Sequence, residues 1–169
     1  MIENNKGEYI KLLLVIFVAY LLISQFIILN AQIPTTSMES TIMAHDRIYF
    51  NRLAYIFVKP DRGDIVVFPK PNNKQVLLVK RIIGLPNEVI QIKNGVIYIN
   101  GVSLKKDYTS NKINGSFGPY NIPDNSYFML GDNRNNSYDS RYWEKTFINE
   151  KDILGKAVFS YFPKIKILK

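Results

Sequence analysis

Three short stretches of this chain carry the side chains that could do chemistry. The first, Ile33-Pro34-Thr35-Thr36-Ser37-Met38-Glu39-Ser40-Thr41, crowds hydroxyls into one loop. Such a cluster either bonds its own backbone or offers a nucleophile. The second, residues 75–84, reads QVLLVKRIIG. With a period of two, Val76, Leu78, Lys80 and Ile82 share one face, and Leu77, Val79, Arg81 and Ile83 share the other. A lysine in that setting either snorkels to water at a sheet edge or is buried. Burial disfavours the charge and leaves a neutral amine, able to take the proton of a serine hydroxyl. The third, residues 131–141, reads GDNRNNSYDSR. It is either an exposed polar loop with a weak Asp–Arg pair or a platform that orients a catalytic amine. His45 followed by Asp46 invites a Ser-His-Asp triad, but a lone loop histidine reads as structural. With one histidine and no cysteine in the chain, a Ser-Lys pair is the simplest peptidase chemistry on offer.

The elements that must position these residues are mostly short and strand-like. Residues 46–50, 64–68, 75–83, 88–92, 96–100, 127–130 and 157–162 are rich in Val, Ile, Tyr and Phe and read as strands. Asn94-Gly95 predicts a tight hairpin, because a type I′ turn needs positive φ at both central residues. Asn100-Gly101 marks a second tight turn. Residues 103–125 read as a long surface connection, and a short helix is weakly signalled at 137–145 or 149–154. Ahead of all this, residues 12–29 (LLLVIFVAYLLISQFIIL) carry no charge. As a helix this run spans about 27 Å, close to the hydrocarbon thickness of a bilayer. It reads as an uncleaved anchor, since Leu29 is a poor fit to the small-x-small site that follows a removable signal. The chain therefore divides into a short tail (1–11), an anchor (12–29) and a mainly antiparallel β domain (32–169).

Composition narrows the function classes. Of the 169 residues, 47% are apolar, enough for a packed core. The absence of cysteine excludes a disulfide framework, and one histidine argues against a zinc site. The net charge of +8 arises entirely after residue 31, since Lys6 and Lys11 balance Glu3 and Glu8. A basic domain behind an apolar helix suits anionic lipid headgroups. No basic helix or RNA-binding motif supports nucleic acid. The flanking charges leave orientation open; the positive-inside rule alone would put the domain in the cytoplasm.

Together these stretches resemble the bacterial type I signal peptidases. Thr35-Thr36-Ser37-Met38, Arg62-Gly63-Asp64-Ile65-Val66-Val67-Phe68, Val79-Lys80-Arg81-Ile82-Ile83-Gly84-Leu85-Pro86 and Gly131-Asp132-Asn133-Arg134 with Ser137, Asp139, Ser140 and Arg141 look like the family's four motif boxes. They stand in the family's order behind the expected helix. Phe117-Gly118-Pro119 ahead of Pro123 and Tyr127-Phe128 looks like the short, single-anchor members.

The resemblance implies a serine endopeptidase that removes signal peptides from exported preproteins. It implies Ser37 as nucleophile, Lys80 as general base, and the Ser37 N–H with the Thr35 hydroxyl as oxyanion-hole donors. Ser137 would orient the lysine; Asp139, Arg141, Asp132, Arg134 and Asp64 would support the site; Met38 would lie near the substrate pocket. No cofactor or metal is implied. The expected partners are preproteins and the lipid bilayer, not nucleic acid, with the domain on the outer face of the cytoplasmic membrane. The family usually has proline where this chain has Ser40, which raises the expectation of a member devoted to a few surface proteins. Two competing readings are a self-cleaving repressor-type Ser-Lys peptidase and a peptidase-like binder without activity. For the first, an apolar helix stands where a DNA-binding module is expected, and Ser37 and Lys80 argue against the second.

Overall fold

The computed structural model describes residues 5–105, 108–109 and 112–168. Helix α1 (Asn5–Ile27) leads directly into β1 (Ile28–Gln32). There follow β2 (Arg47–Asn51), β3 (Ile65–Lys70), β4 (Asn73–Gly84), β5 (Val89–Lys93), β6 (Val96–Ile99), β7 (Val102–Ser103), β8 (Phe117–Asn121), β9 (Ser126–Leu130) and β10 (Phe147–Asn149). A 3₁₀ turn (Glu150–Asp152), β11 (Gly155–Phe162) and β12 (Lys166–Ile167) complete the chain. The larger sheet runs β1-β2-β11-β3-β4-β9-β10 with β12 on β11, and the smaller runs β7-β6-β5-β8. Every pairing described is antiparallel, as the sequence predicts.

The hairpin at Asn94-Gly95 forms between β5 and β6, with φ of 47° and 81° at its two central residues. Two differences from the sequence reading have physical causes, and the helix signalled at 137–145 or 149–154 forms only as the 3₁₀ turn Glu150–Asp152 of the second stretch. Ile28 and Leu29, expected in the anchor, pair with Asn51 and Phe50 instead, so the helix stops at Ile27. The expected long connection contains β8, which completes the smaller sheet on β5 despite its proline. No helix forms at 137–145, where buried charges hold the backbone in turns.

Side chains of α1 from Tyr9 to Val18 are exposed all round. Among the described residues, which leave out the side chains of 22 and 25, no helix is long and apolar enough to cross a membrane. The expected tail (1–11) lies partly outside the described residues.

Two parts of the core bear on the site. Ile33, Met38, Ile42, Ile48 and Val79 pack together beneath the hydroxyl-rich loop. Val66, Phe68, Ile82, Tyr127 and Met129 pack along β3, β4 and β9. Each such fully buried side chain contributes about 1.5–3 kcal/mol. The core thus pins both the loop and the strand that carry the candidate dyad.

Candidate active site

The hydroxyl-rich loop is an excursion between β1 and β2. It is closed at its base by Ile33 N–H to Asp46 O (2.9 Å) and His45 N–H to Ile33 O (2.7 Å). Within it, Glu39 N–H donates to Thr36 O, and both Thr41 and Ile42 donate to Met38 O. Burial of Ile33, Met38 and Ile42 fastens the loop to the core and turns Ser37 toward β4. From the far side, the Asn133 backbone N–H donates to Ser37 O (3.1 Å) and its side-chain amide to Thr36 O (3.1 Å). The Asn136 amide donates to Thr36 Oγ1 (2.9 Å). This close approach requires glycine at 131: a Cβ there would press on Ser137 Oγ and sit 2.5 Å from Ser37 O.

Lys80 and Ser37, 43 positions apart, meet across this junction: Lys80 Nζ and Ser37 Oγ are hydrogen-bonded. Thr35 Oγ1 lies 3.4 Å from Ser37 Oγ. The lysine is only 3% exposed, so it does not snorkel to solvent. Burial is the main cause of its lowered pKa, which falls from 10.5 to about 8. Asp139 and Asp132 oppose the shift and Arg141 adds to it. A hydroxyl against a buried amine of that basicity is equipped for nucleophilic catalysis without histidine. His45 lies exposed on a turn at φ 70°.

Two buried ion pairs frame the dyad. Arg141 grips both carboxylate oxygens of Asp139 (2.8 and 2.9 Å) and donates to Arg134 O (2.6 Å). Asp139 in turn accepts from Gly131 N–H (3.1 Å). Arg81, the neighbour of Lys80, grips both oxygens of Asp132 (2.8 and 2.6 Å) and donates to Gly63 O (2.6 Å). Asp64 accepts from Tyr55 Oη (2.9 Å) and pairs with Lys156 (2.6 Å), holding the turn that presents Gly63. It acts on the site only through that turn. The Arg134 side chain is fully buried.

Two candidate residues sit differently from expectation. Met38 has no exposed surface and lies in the core beneath the nucleophile loop. Ser137 Oγ is buried but has no hydrogen-bond partner among the described residues, so it does not bond the lysine in this arrangement. Sequence reading assigned no role to Arg81, Asn133 or Asn136. A cation among aliphatics was the signal for the first; nothing in the polar run singled out the two asparagines.

Ser40 sits at φ 82°, in the left-handed region. Proline, locked near −65°, cannot occupy it. Ser40→Pro should therefore cost more than ~1 kcal/mol and slow cleavage, while Ser40→Gly keeps both stability and activity. Thermal melts and cleavage rates check this; a Ser40→Pro protein as stable as wild type refutes it.

A family model described as signal peptidase, peptidase S26, matches residues 6–162. The chain is 36% identical over 166 residues to a probable signal peptidase I-2 of Synechocystis sp., covering 95% of this chain and 75% of that one. It is 37% identical over 167 residues to signal peptidase I S of Bacillus subtilis, covering 92% and 89%. A crystal structure of a signal peptidase I from Enterococcus faecalis is similar at a TM-score of 0.50 and 35% identity, covering 58% of this chain and 96% of that chain. With a matching family model across most of its length and relatives of one kind in several bacteria, the chain belongs to the bacterial type I signal peptidases, serine peptidases of the S26 family.

Proposed function

We propose that the chain cleaves signal peptides from exported preproteins at a membrane surface, with Ser37 as nucleophile and Lys80 as general base. The observation that carries this reading is the buried hydrogen bond between Lys80 Nζ and Ser37 Oγ. Ser37 Oγ attacks the scissile carbonyl carbon as its proton passes to Lys80 Nζ. The tetrahedral oxyanion is held by the Ser37 N–H and Thr35 Oγ1, a contact worth about 3 kcal/mol per donor in comparable sites. Collapse breaks the C–N bond, and Lys80 returns the proton to the departing amine. A water, deprotonated by the same amine, then hydrolyses the acyl-serine and regenerates the hydroxyl. The buried hydroxyl of Ser137 is the group available to orient the amine between these transfers.

Substrate binding follows from a free edge. β4 pairs with β3 from Asn73 to Arg81, whereas β9 takes its other side only from Arg81 onward. An extended signal peptide can add to the open edge ahead of Lys80, bound by backbone hydrogen bonds whatever its sequence.

Helix α1 serves as the anchor in this reading. Its support is the charge-free run 12–29 and the exposure of its apolar side chains. The loop after β2 adds to it: Arg52 N–H bonds Ile27 O, and Leu53, Ile56, Phe57 and Val58 stand exposed just beyond. An apolar loop beside the helix end suits contact with the lipid interface. The domain then lies on the outer face of the cytoplasmic membrane, where tethered substrates meet it at raised effective concentration. A range narrowed to a few surface proteins is part of the proposal, supported by the altered turn at Ser40; efficient cutting of unrelated preproteins counters it.

The test is preprotein cleavage by wild type and Ser37→Ala across pH. Ser37→Ala should be inactive throughout. Wild-type turnover should climb about tenfold per pH unit while the lysine is still protonated and level off above about 8. A rate flat down to acidic pH removes the lysine from the base role.

A further inference from the structure

The peptide path implied by the open edge of β4 has a definite obstacle. Ahead of Lys80 that edge is unpaired among the described residues; from Arg81 it is occupied by β9, whose last residue, Leu130, lies opposite Arg81. A preprotein running parallel to β4, with its signal segment ahead of Lys80 and its scissile carbonyl at Ser37, meets β9 and cannot continue straight. Its mature segment must turn outward over residues 131–142, the stretch that follows β9 and bonds the backbone of the nucleophile loop through Asn133.

The outer surface of that stretch is aromatic. Tyr138 and Tyr142 are 59% and 48% exposed, and their rings stack with centroids 6.1 Å apart at 12°. Phe117 of β8 meets Tyr142 edge-on at 5.5 Å. The Arg141 guanidinium lies 5.1 Å from the Tyr142 ring and 5.5 Å from that of Phe117. Asp139 holds that guanidinium through two hydrogen bonds, so the ring beside it is fixed by a buried ion pair. Tyr138 lies between Ser137 and Asp139, both buried in the site, yet points to solvent. A solvent-facing ring pair fixed from beneath is a preorganised contact surface: two-torsion side chains lose little entropy when covered.

We infer that Tyr138 and Tyr142 form a subsite for the mature side of the preprotein, gripping the residues just beyond the cut. The inference rests on the proposed peptidase reading and deepens it. The rings contact backbone and side chain without sequence demand, as a site serving different mature termini requires. The subsite acts before the amide breaks and lets go afterwards, since the released amine terminus is no longer tethered to the acyl group on Ser37.

The test compares two synthetic substrates sharing one signal-peptide segment: one continues through a long mature segment, the other ends one residue after the cut. Wild type should favour the long substrate in kcat/KM. Tyr138→Ala should shrink that preference by about threefold to tenfold, the size of a lost aromatic contact. Tyr138→Phe, which keeps the ring, should restore it. A Tyr138→Ala enzyme that slows equally on both substrates, or retains the wild-type preference, overturns the subsite. Equal slowing assigns Tyr138 to the integrity of the domain. If wild type cuts neither substrate while folded, the peptidase reading itself fails, which separates the two outcomes.

Discussion

Lys80→Met is expected to abolish preprotein cleavage, by about 10⁴-fold or more, while raising the stability of the domain. The activity loss follows from the double duty of one amine: it accepts the Ser37 proton and later protonates the leaving group, and groups that act as a unit are lost together. The stability gain has the opposite sign for a reason specific to burial. The folded pKa of about 8 lies below the ordinary 10.5. At pH 7 the amine is therefore charged in both folded and unfolded chains, and the fold carries the whole cost of burying it. That cost is on the order of 3 kcal/mol at ~1.36 kcal/mol per pH unit. Between about 8 and 10.5 only the unfolded chain keeps the proton, so wild-type stability rises with pH through that window. Methionine fills similar space without the charge, though Ser37 loses its partner. The net gain at neutral pH should be about 1–3 kcal/mol, and the alkaline rise should vanish. Melting curves from pH 7 to 10.5 check both halves. A Lys80→Met protein less stable than wild type at pH 7 would mean that the amine is not held at a cost.

Asp132→Ala should be strongly destabilising. Arg81 and Asp132 are 1% and 0% exposed and joined by two short hydrogen bonds. Removing the carboxylate strands a guanidinium in the interior, which costs about 3–5 kcal/mol. Against a total of roughly 5–15 kcal/mol, that lowers the melting temperature by ~10 °C or more. Replacing both partners, Arg81→Leu with Asp132→Leu, should recover much of the loss, because an apolar pair has no charge to strand. Cleavage should not recover with it: Asp132 lies between Gly131 and Asn133, which fit against the carbonyl of Ser37. The pair Lys59–Glu150, 3.9 Å apart with the lysine 71% exposed, is the control: Lys59→Ala should change stability by less than ~1 kcal/mol. A single Asp132→Ala protein as stable as the double variant would refute the stranded-charge account.

Where the sequence reading and the structure part, short-range pattern and long-range pairing compete. Ile28 and Leu29 continue the apolar run of the helix, and a short apolar segment carries no period that separates helix from strand. Pairing with β2 decides for strand. Residues 103–125 read as a connection, yet β8 forms within them, because a proline is tolerated on an outer strand of a small sheet. Strands with an uninterrupted β-branched or aromatic pattern, such as β4, β5 and β9, were legible to within two residues at either end.

The sequence alone determined the chemical inventory: a hydroxyl-rich loop, a lysine among aliphatics, a polar run, and too little histidine or thiol for other peptidase chemistries. It also determined the β architecture, since alternation and turn residues are local properties of the chain. Only the tertiary structure decided that the polar run would be interior. Polar segments are usually solvated, and Asp132, Arg134, Asp139 and Ser140 are buried only because loop and strand close over them: Asp132 meets Arg81 of β4, Ser140 meets the backbone of β9, and Asp139 meets Arg141 of its own run. The same closure sets the basicity of Lys80. A pKa depends on how much water reaches the group and which charges stand near it, and both are established by contacts between residues far apart in the chain.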